Sequence, residues 1–304
     1  MTERRVPTKE EVDSYLRDRR NWDRWGDKGS AGAINLITAE KRLSAVQLAK
    51  KGRTVSLSRP FPVTPSIENP RPALHYLFTI DRQEGWGSAQ DFYGVSYHGT
   101  ATTHIDALCH VWTGDGMWDG RDHTKELTFT GARYGSVDAW SQGILTRGVL
   151  LDVPKHRNKP YVTLEEPVHG WELEDILGET GITLEPGDAV AVYSGREAYA
   201  EAHGSWGGGE ARAGLHASCL PFIRDHDIAI LVLDMMDAAP NEYGIPHTVH
   251  GAIPAYGVAL LDNALLQPLA EVCAEEGTYE FMLTINPLVV VGGTGSPVNP
   301  IAMF

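Results

Sequence analysis

Arg147-Gly148-Val149-Leu150-Leu151-Asp152 is the stretch that sets the fold class, and Ile228-Ala229-Ile230-Leu231-Val232-Leu233-Asp234 repeats its pattern further on. Each is an unbroken apolar run that stops at an aspartate. A strand with one wet face alternates polar and apolar residues, so runs like these read as strands buried on both faces. Pro186-Gly187-Asp188 is a turn that launches a third such strand over 189–193. Helical patterns fall between and after these strands, over 171–178, 213–225 and 263–276, the last capped by Asn263 and stopped by Gly277. A final strand follows over 279–285. Buried strands separated by helices predict an α/β arrangement with both sheet faces covered. With 304 residues, 42% of them hydrophobic, the chain can bury one large core, and a single domain is expected.

Before the first buried strand the pattern changes. Thr8 with Glu11 is a capping-box signature, and Val12, Tyr15 and Leu16 share a helical face, which predicts a helix over 9–20. A Trp-, Asp- and Gly-rich loop over 22–32 follows, then a helix over 39–51 with Ala39, Leu43, Val46 and Ala49 at helical spacing. A short strand is expected over 54–57. Five prolines between Pro60 and Pro72 rule out a regular element there, leaving a connector or an arm over a neighbouring subunit. A strand over 73–81 is broken by Gly85-Trp86-Gly87. Trp112 and Trp118, in a turn-rich segment, are candidate walls of a pocket.

Charge and motifs exclude several classes. A net charge of −14, with no Lys or Arg from Asp225 to Phe304, argues against nucleic acid or an anionic membrane as partner. Three scattered cysteines without a Cys-x-x-Cys spacing fit a reducing compartment. Polar residues follow Met1, and no apolar run reaches the ~18 residues of a membrane span, so a soluble, cytoplasmic protein is expected. There is no Gly-x-Ser-x-Gly elbow and no Walker sequence, and the Gly292–Gly295 segment runs into Pro297 instead of opening a helix.

Chemistry concentrates in Tyr97-His98-Gly99-Thr100-Ala101-Thr102-Thr103-His104-Ile105-Asp106-Ala107-Leu108-Cys109-His110, which holds three of the twelve histidines. On a strand, His98, Thr100, Thr102, His104 and Asp106 would share one face. His104-x-Asp106 supplies the imidazole and carboxylate that suit Zn²⁺, Mn²⁺ or Fe²⁺. His110 joins them only if the chain bends after Asp106. A hydrogen-bonded core pair is the plainer reading of His104 and Asp106 alone, but His98 and His110 add groups that would be costly to bury unpaired.

The stretch resembles the metal-binding signature of the cyclase family, which includes bacterial kynurenine formamidases and isatin hydrolases. The family pattern is His-x-Gly-Thr-His-x-Asp-x-x-x-His, and Thr103 to His110 match its second half. Arg147 to Asp152, Pro186-Gly187-Asp188, Gly214-Leu215, Leu233-Asp234 and the 292–300 loop resemble the family's other landmarks, in order. The resemblance runs from about Thr54 to the end, so residues 1–53 read as a helical N-terminal extension packed on a main domain of 54–304. It implies a single α/β domain with a mixed central sheet and flanking helices, of the swivelling β/β/α type. It also implies a metal-dependent hydrolase that opens an amide or lactone of a small, cyclic or aromatic substrate, using one or two Zn²⁺ or Mn²⁺ ions per subunit, in a homodimer or homotetramer. Mapped residue by residue, His104 and Asp106 are metal ligands and His110 is the acid/base, with a pKa near the working pH. A late His and a Glu twelve residues on correspond to His250 and Asp262, with Asp in place of Glu and His247 as a rival to His250. Thr100 stands where the first ligand His would align, and His98, two residues earlier, is the candidate to replace it as ligand or as a donor that orients one.

The same residues admit three other readings. A non-haem iron oxygenase would use the same ligand types, but no basic residue follows His250 to hold a cosubstrate carboxylate. A noncatalytic metal-binding member is consistent with the altered positions Thr100 and Asp262. An isomerase or lactone-forming cyclase could use the same site.

Overall fold

A computed structural model describes residues 4–83 and 85–304. The two stretches quoted at the outset are central strands. Ile144–Asp152, Ala189–Tyr193, Ile230–Leu233 and Ala259–Asp262 lie side by side and parallel. His104–Asp106 pairs antiparallel with Ala259–Asp262, and Gly295–Pro297 adds antiparallel beyond it as one edge. On the other side Glu280–Ile285, Ile301–Met303 and Thr54–Ser56 complete a mixed nine-stranded sheet. Helices flank it in a single α/β domain. Every residue of Ala189–Tyr193, Ile230–Leu233 and Ala259–Asp262 is buried, as unalternated apolar runs require. All three cysteines are buried free thiols.

The aspartates that end the quoted runs are caps. Asp152 accepts the Lys155 amide at 3.0 Å and starts the Val153–Arg157 helix. Asp234, fully buried, accepts the amides of Ser194, Gly195, Arg196 and Met235 at 2.8–3.2 Å, and so fixes the entry of the neighbouring Arg196–His203 helix. Four parallel strands thus deliver Asp152, Ser194, Asp234 and Asp262 to one end of the sheet. That is the end where α/β sheets place their ligands.

The N-terminal residues are stitched to this body. Thr8 and Glu11 form the expected capping box of the Lys9–Asp18 helix. The Ala33 amide donates to the Gly257 carbonyl, and a side chain at Gly32 would meet that same oxygen at 2.4 Å. Residues expected as a loop form instead the kinked 3₁₀ segment Gly26–Leu36. The Ala39–Val46 helix also differs from expectation in its face. Lys41 and Ala45 are buried while Leu43 and Val46 are exposed, because the Lys41 ammonium reaches the buried Asp188 at 2.5 Å. Arg147 completes that pairing at 2.5 Å, which is how a fully buried carboxylate is tolerated at the head of the Ala189–Tyr193 strand.

Further corrections concern elements that periodicity alone misplaces. The helix expected over 213–225 begins only at Cys219, the preceding residues being held by the Leu215 bridges to Val168 and Asp237. Asn263 does not cap the last helix, which is Gln267–Glu276; it stands in the left-handed region at φ 57°. Gly85-Trp86-Gly87 is the tip of a hairpin, in which Leu74–Asp81 pairs with a second strand, Gly87–Gly94, that no sequence pattern announced. Among the described residues, no helix is long and apolar enough to cross a membrane.

Candidate metal centre

The centre is assembled around His104–Asp106. Cross-strand register places Asp262 directly opposite His104, so residues about 150 positions apart meet as an antiparallel pair. Asp106, two residues on, shares that face. His104 Nδ1 lies 2.8 Å from the Thr102 carbonyl, which leaves Nε2 turned to Asp106 Oδ1 at 3.3 Å. His98 arrives differently from the sequence reading. It belongs to a turn at 98–101, not to a strand face, and that turn still carries its Nδ1 to 2.9 Å from Asp106 Oδ1. After Asp106 the chain bends as required, with the His110 amide donating to the Ala107 carbonyl. The bend stacks His110 on His98, rings 3.7 Å apart and 2° from parallel, with His110 Nε2 at 3.8 Å from Asp106 Oδ2.

The second half of the centre comes from the 3₁₀ turn Val249–Gly251. His250 Nε2 sits 3.0 Å from Asp262 Oδ2 and 3.8 Å from Asp106 Oδ2. Its Nδ1 faces Asp237 Oδ2 at 3.0 Å, while Asp237 Oδ1 accepts the Val249 and His250 amides. Asp237 thereby fixes the His250 ring with Nε2 directed at Asp262 and Asp106, the usual support of a ligating imidazole. Sequence reasoning missed Asp237. Its only signal was an acid three residues beyond Asp234 at the end of a buried strand. His247, the rival, is half exposed and faces Asp237 at 3.7 Å, not Asp106.

Burial opposes charge throughout, so the surrounding groups decide the ionisation. Three imidazoles, His104, His98 and His110, overcome burial and hold the Asp106 carboxyl well below the usual carboxylate range. For His250, burial is outweighed by the Asp237 and Asp262 carboxylates, which raise its pKa well above that of an ordinary imidazole. His110 goes the other way: burial, reinforced by His98, His250 and His104, lowers it to about 4 despite Asp106. That corrects the expectation of a pKa near the working pH. His110 is a neutral imidazole at pH 7.

Both oxygens of Asp106, Oδ1 of Asp262 and Nδ1 of His98 are buried without a hydrogen bond. The imidazole nitrogens thus approach Asp106 closely without the alignment of a hydrogen bond. Orphaned buried oxygens among imidazole nitrogens are the donor set of a divalent cation. Two overlapping groups have donor atoms within 4.8 Å of one another, namely His98, His104 and Asp106, and Asp106, His250 and Asp262. Asp237, His247 and His250 form a third.

The family model for cyclases matches residues 54–240. The chain belongs to the cyclase family. That match includes His98 to His110 and stops short of His250 and Asp262. A crystal structure of a novel cyclase superimposes with a TM-score of 0.82 at 26% identity, covering 94% of this chain and 99% of its own. Isatin hydrolase A from Ralstonia solanacearum aligns with a TM-score of 0.55 at 16% identity, over 87% of this chain and 97% of that one. Isatin hydrolase A from Labrenzia aggregata, bound to benzyl benzoate, gives 0.56 at 18%, over 87% and 98%. At such identities the likeness is one of fold. The search of curated proteins found no match to this chain.

Beside the centre lies a cavity of about 700 Å³ whose lining includes Leu16, Val111, Trp112, His123, Ile245 and His247. Trp112 stacks on His123, rings 4.6 Å apart and 8° from parallel. Trp118, the other proposed wall, is instead fully buried, its indole donating to the Gly29 carbonyl. Trp206 is buried as well, under the Arg196 guanidinium. Trp86 stands exposed at the hairpin tip.

Thr294 and Gly295 also serve this centre. Thr294 Oγ1 lies 3.0 Å from His98 Nε2, and a Cβ at Gly295 would meet the Ile105 carbonyl at 2.5 Å and the His98 ring at 3.2 Å. Gly295→Val is therefore expected to destabilise the fold by about 1–3 kcal/mol, as overpacking does, and to weaken metal binding together with it. Thermal unfolding and metal titration of that variant check this; wild-type values in both would show the close approach to be unimportant.

Proposed function

We propose that this protein is a metal-dependent hydrolase that opens the amide or lactone bond of a small cyclic or aromatic substrate. The observation that carries the proposal is the orphaned, buried Asp106, with Oδ1 turned to His98 and His104 and Oδ2 to His250 and His110. A carboxylate so placed can serve two cation positions, with His98 and His104 on one and His250 and Asp262 on the other. Zn²⁺ and Mn²⁺ both suit the donor set. A bound cation supplies an acidified water and a Lewis acid for the scissile carbonyl. Asp237 holds His250 with Nε2 inward. His110, neutral and partly open, takes a proton from the attacking water and returns it to the departing nitrogen or oxygen. The neighbouring cavity is lined by Trp112 and aliphatic side chains with Asp115 and Asp122 as its carboxylates, and by no Lys or Arg, which suits an uncharged aromatic ring.

A panel of arylformamides, isatin-like lactams and lactones, with and without chelator and followed by product mass, tests this reading. Hydrolysis adds the mass of one water and stops on chelation. Turnover without that gain favours an isomerase or lactone-forming cyclase on the same site, and no metal-dependent turnover favours a noncatalytic member.

The reading includes self-association. The Leu74–Asp81/Gly87–Gly94 hairpin is exposed along nearly its whole length, with Leu77 63%, Phe92 54% and Tyr93 62% exposed. A two-stranded hairpin is marginal alone, and an apolar surface of this kind marks a protein contact. A second copy of the chain covering it gives the homodimer or homotetramer. Sedimentation velocity should show an oligomer for the wild type and a monomer for Leu77→Lys with Phe92→Glu; a monomeric wild type at micromolar concentration contradicts it.

A further inference from the structure

The turn that carries His98 is gripped from behind by two buried side chains that lie outside the candidate ligand set. Arg196, 2% exposed, donates from Nη2 to the Thr100 carbonyl at 2.5 Å and to Glu68 Oε2 at 3.2 Å. From Nη1 it donates to Asn263 Oδ1 at 2.7 Å and to the Asp234 carbonyl at 3.2 Å. Asn263, fully buried, directs its amide protons to the Gly99 carbonyl at 2.7 Å and the Thr102 carbonyl at 3.0 Å. The carbonyls of Gly99, Thr100 and Thr102 are thus all fixed between His98 and His104, and the Thr102 carbonyl is the same atom that orients His104 Nδ1.

Satisfying these carbonyls does not by itself call for an arginine. Gly99 is exposed and Thr100 half-buried, so water could serve the turn at little cost. Burying a guanidinium is expensive, and this one is held in a fixed plane by Glu68, Asn263 and the Trp206 ring at 4.5 Å. Glu68 belongs to the Pro-rich segment, and its Oε1 also accepts the Trp206 and Gly207 amides at 2.7 and 2.8 Å. One side chain therefore ties the Pro-rich segment, the Gly-rich 204–209 loop and the His98 turn into a single frame. The left-handed backbone of Asn263, next to Asp262 in the chain, is what turns its amide towards the His98 turn instead of into the helix that follows.

We propose that Arg196 and Asn263 are positioning residues that set the separation of the His98 and His104 nitrogens, and thereby the affinity and geometry of the cation position those residues share with Asp106. The proposal rests on the reading of that cluster as a divalent-cation site. Its test is a Co²⁺ titration of chelator-treated wild type, Asn263→Gly and Arg196→Lys, with the visible absorption of bound Co²⁺ as a report on coordination geometry. Glycine tolerates φ 57°, so Asn263→Gly removes the amide without straining the chain beside Asp262. Arg196→Lys keeps the charge and loses the planar fork. The expected result is Co²⁺ binding weaker by about 10–100-fold in both variants, with an altered absorption envelope, while metal-free Asn263→Gly still folds, at a lowered thermal midpoint because Arg196 Nη1 and the Gly99 and Thr102 carbonyls lose a buried partner. If Arg196→Lys does not fold, Asn263→Gly carries the test. Wild-type affinity and spectrum in the variants would overturn the positioning role and leave the metal site standing. A wild type that binds no Co²⁺ would overturn both.

Discussion

Asp106→Ala is expected to strip the protein of metal and to lower turnover by ~10³-fold or more, the scale of losing several kcal/mol of Lewis-acid stabilisation. The size follows from geometry. Asp106 is fully buried, and its two oxygens face four imidazoles. It is common to the two overlapping donor groups, so its loss leaves His98 and His104 on one side, and His250 and Asp262 on the other, each short of a donor. Elemental analysis of the variant, with circular dichroism to show that it has folded, checks the result. Full metal content in a folded Asp106→Ala protein would remove Asp106 from the centre.

His110→Ala is expected to behave differently, keeping its metal and losing about 10²–10⁴-fold in turnover, the usual worth of a positioned acid/base. His110 belongs to none of the three groups whose donor atoms lie within 4.8 Å of one another. It reaches Asp106 only at 3.8 Å and stacks on His98 by its ring face. Because burial lowers its pKa to about 4, the imidazole is unprotonated over the neutral range and takes up a proton only when pH falls through about 4. The pH–rate profile should accordingly show no acid limb from His110 near 6.5, the ordinary imidazole value. A limb at that position that vanishes in His110→Ala would contradict the assignment of a depressed pKa, and undiminished turnover in the variant would remove His110 from the mechanism.

The fold was legible where burial leaves a chemical signature. Runs such as Val149 to Leu151 and Ile228 to Leu233 have no alternation because both faces are covered. The candidate site was legible where chemistry is local: His104 and Asp106 share a strand face, and the long-range closure to His250 and Asp262 followed from a family pattern that the register between His104–Asp106 and Ala259–Asp262 explains. What was not legible depends on tertiary partners. Strand periodicity could not show that His98 sits on a turn, because that turn is held by Arg196 and Asn263 from distant segments. Asn263 reads as a helix cap by residue type, whereas in the fold it stands in the left-handed region with its amide on the Gly99 and Thr102 carbonyls. Lys41 interrupts an apolar helical face because a buried Asp188 awaits it, and Trp118 left the pocket for the core because its indole found the Gly29 carbonyl. The Gly87–Gly94 strand lacks a buried face altogether, so no hydrophobic pattern could have announced it.

The cluster of His98, His104, Asp106, His250 and Asp262 is expected to hold a divalent metal on which turnover depends. Elemental analysis of the purified wild-type protein tests it most directly. One or two equivalents of Zn²⁺ or Mn²⁺ per chain are expected, removed by chelator together with the hydrolytic activity. A folded protein that carries no metal, and whose hydrolytic turnover is unchanged by chelation, would contradict it.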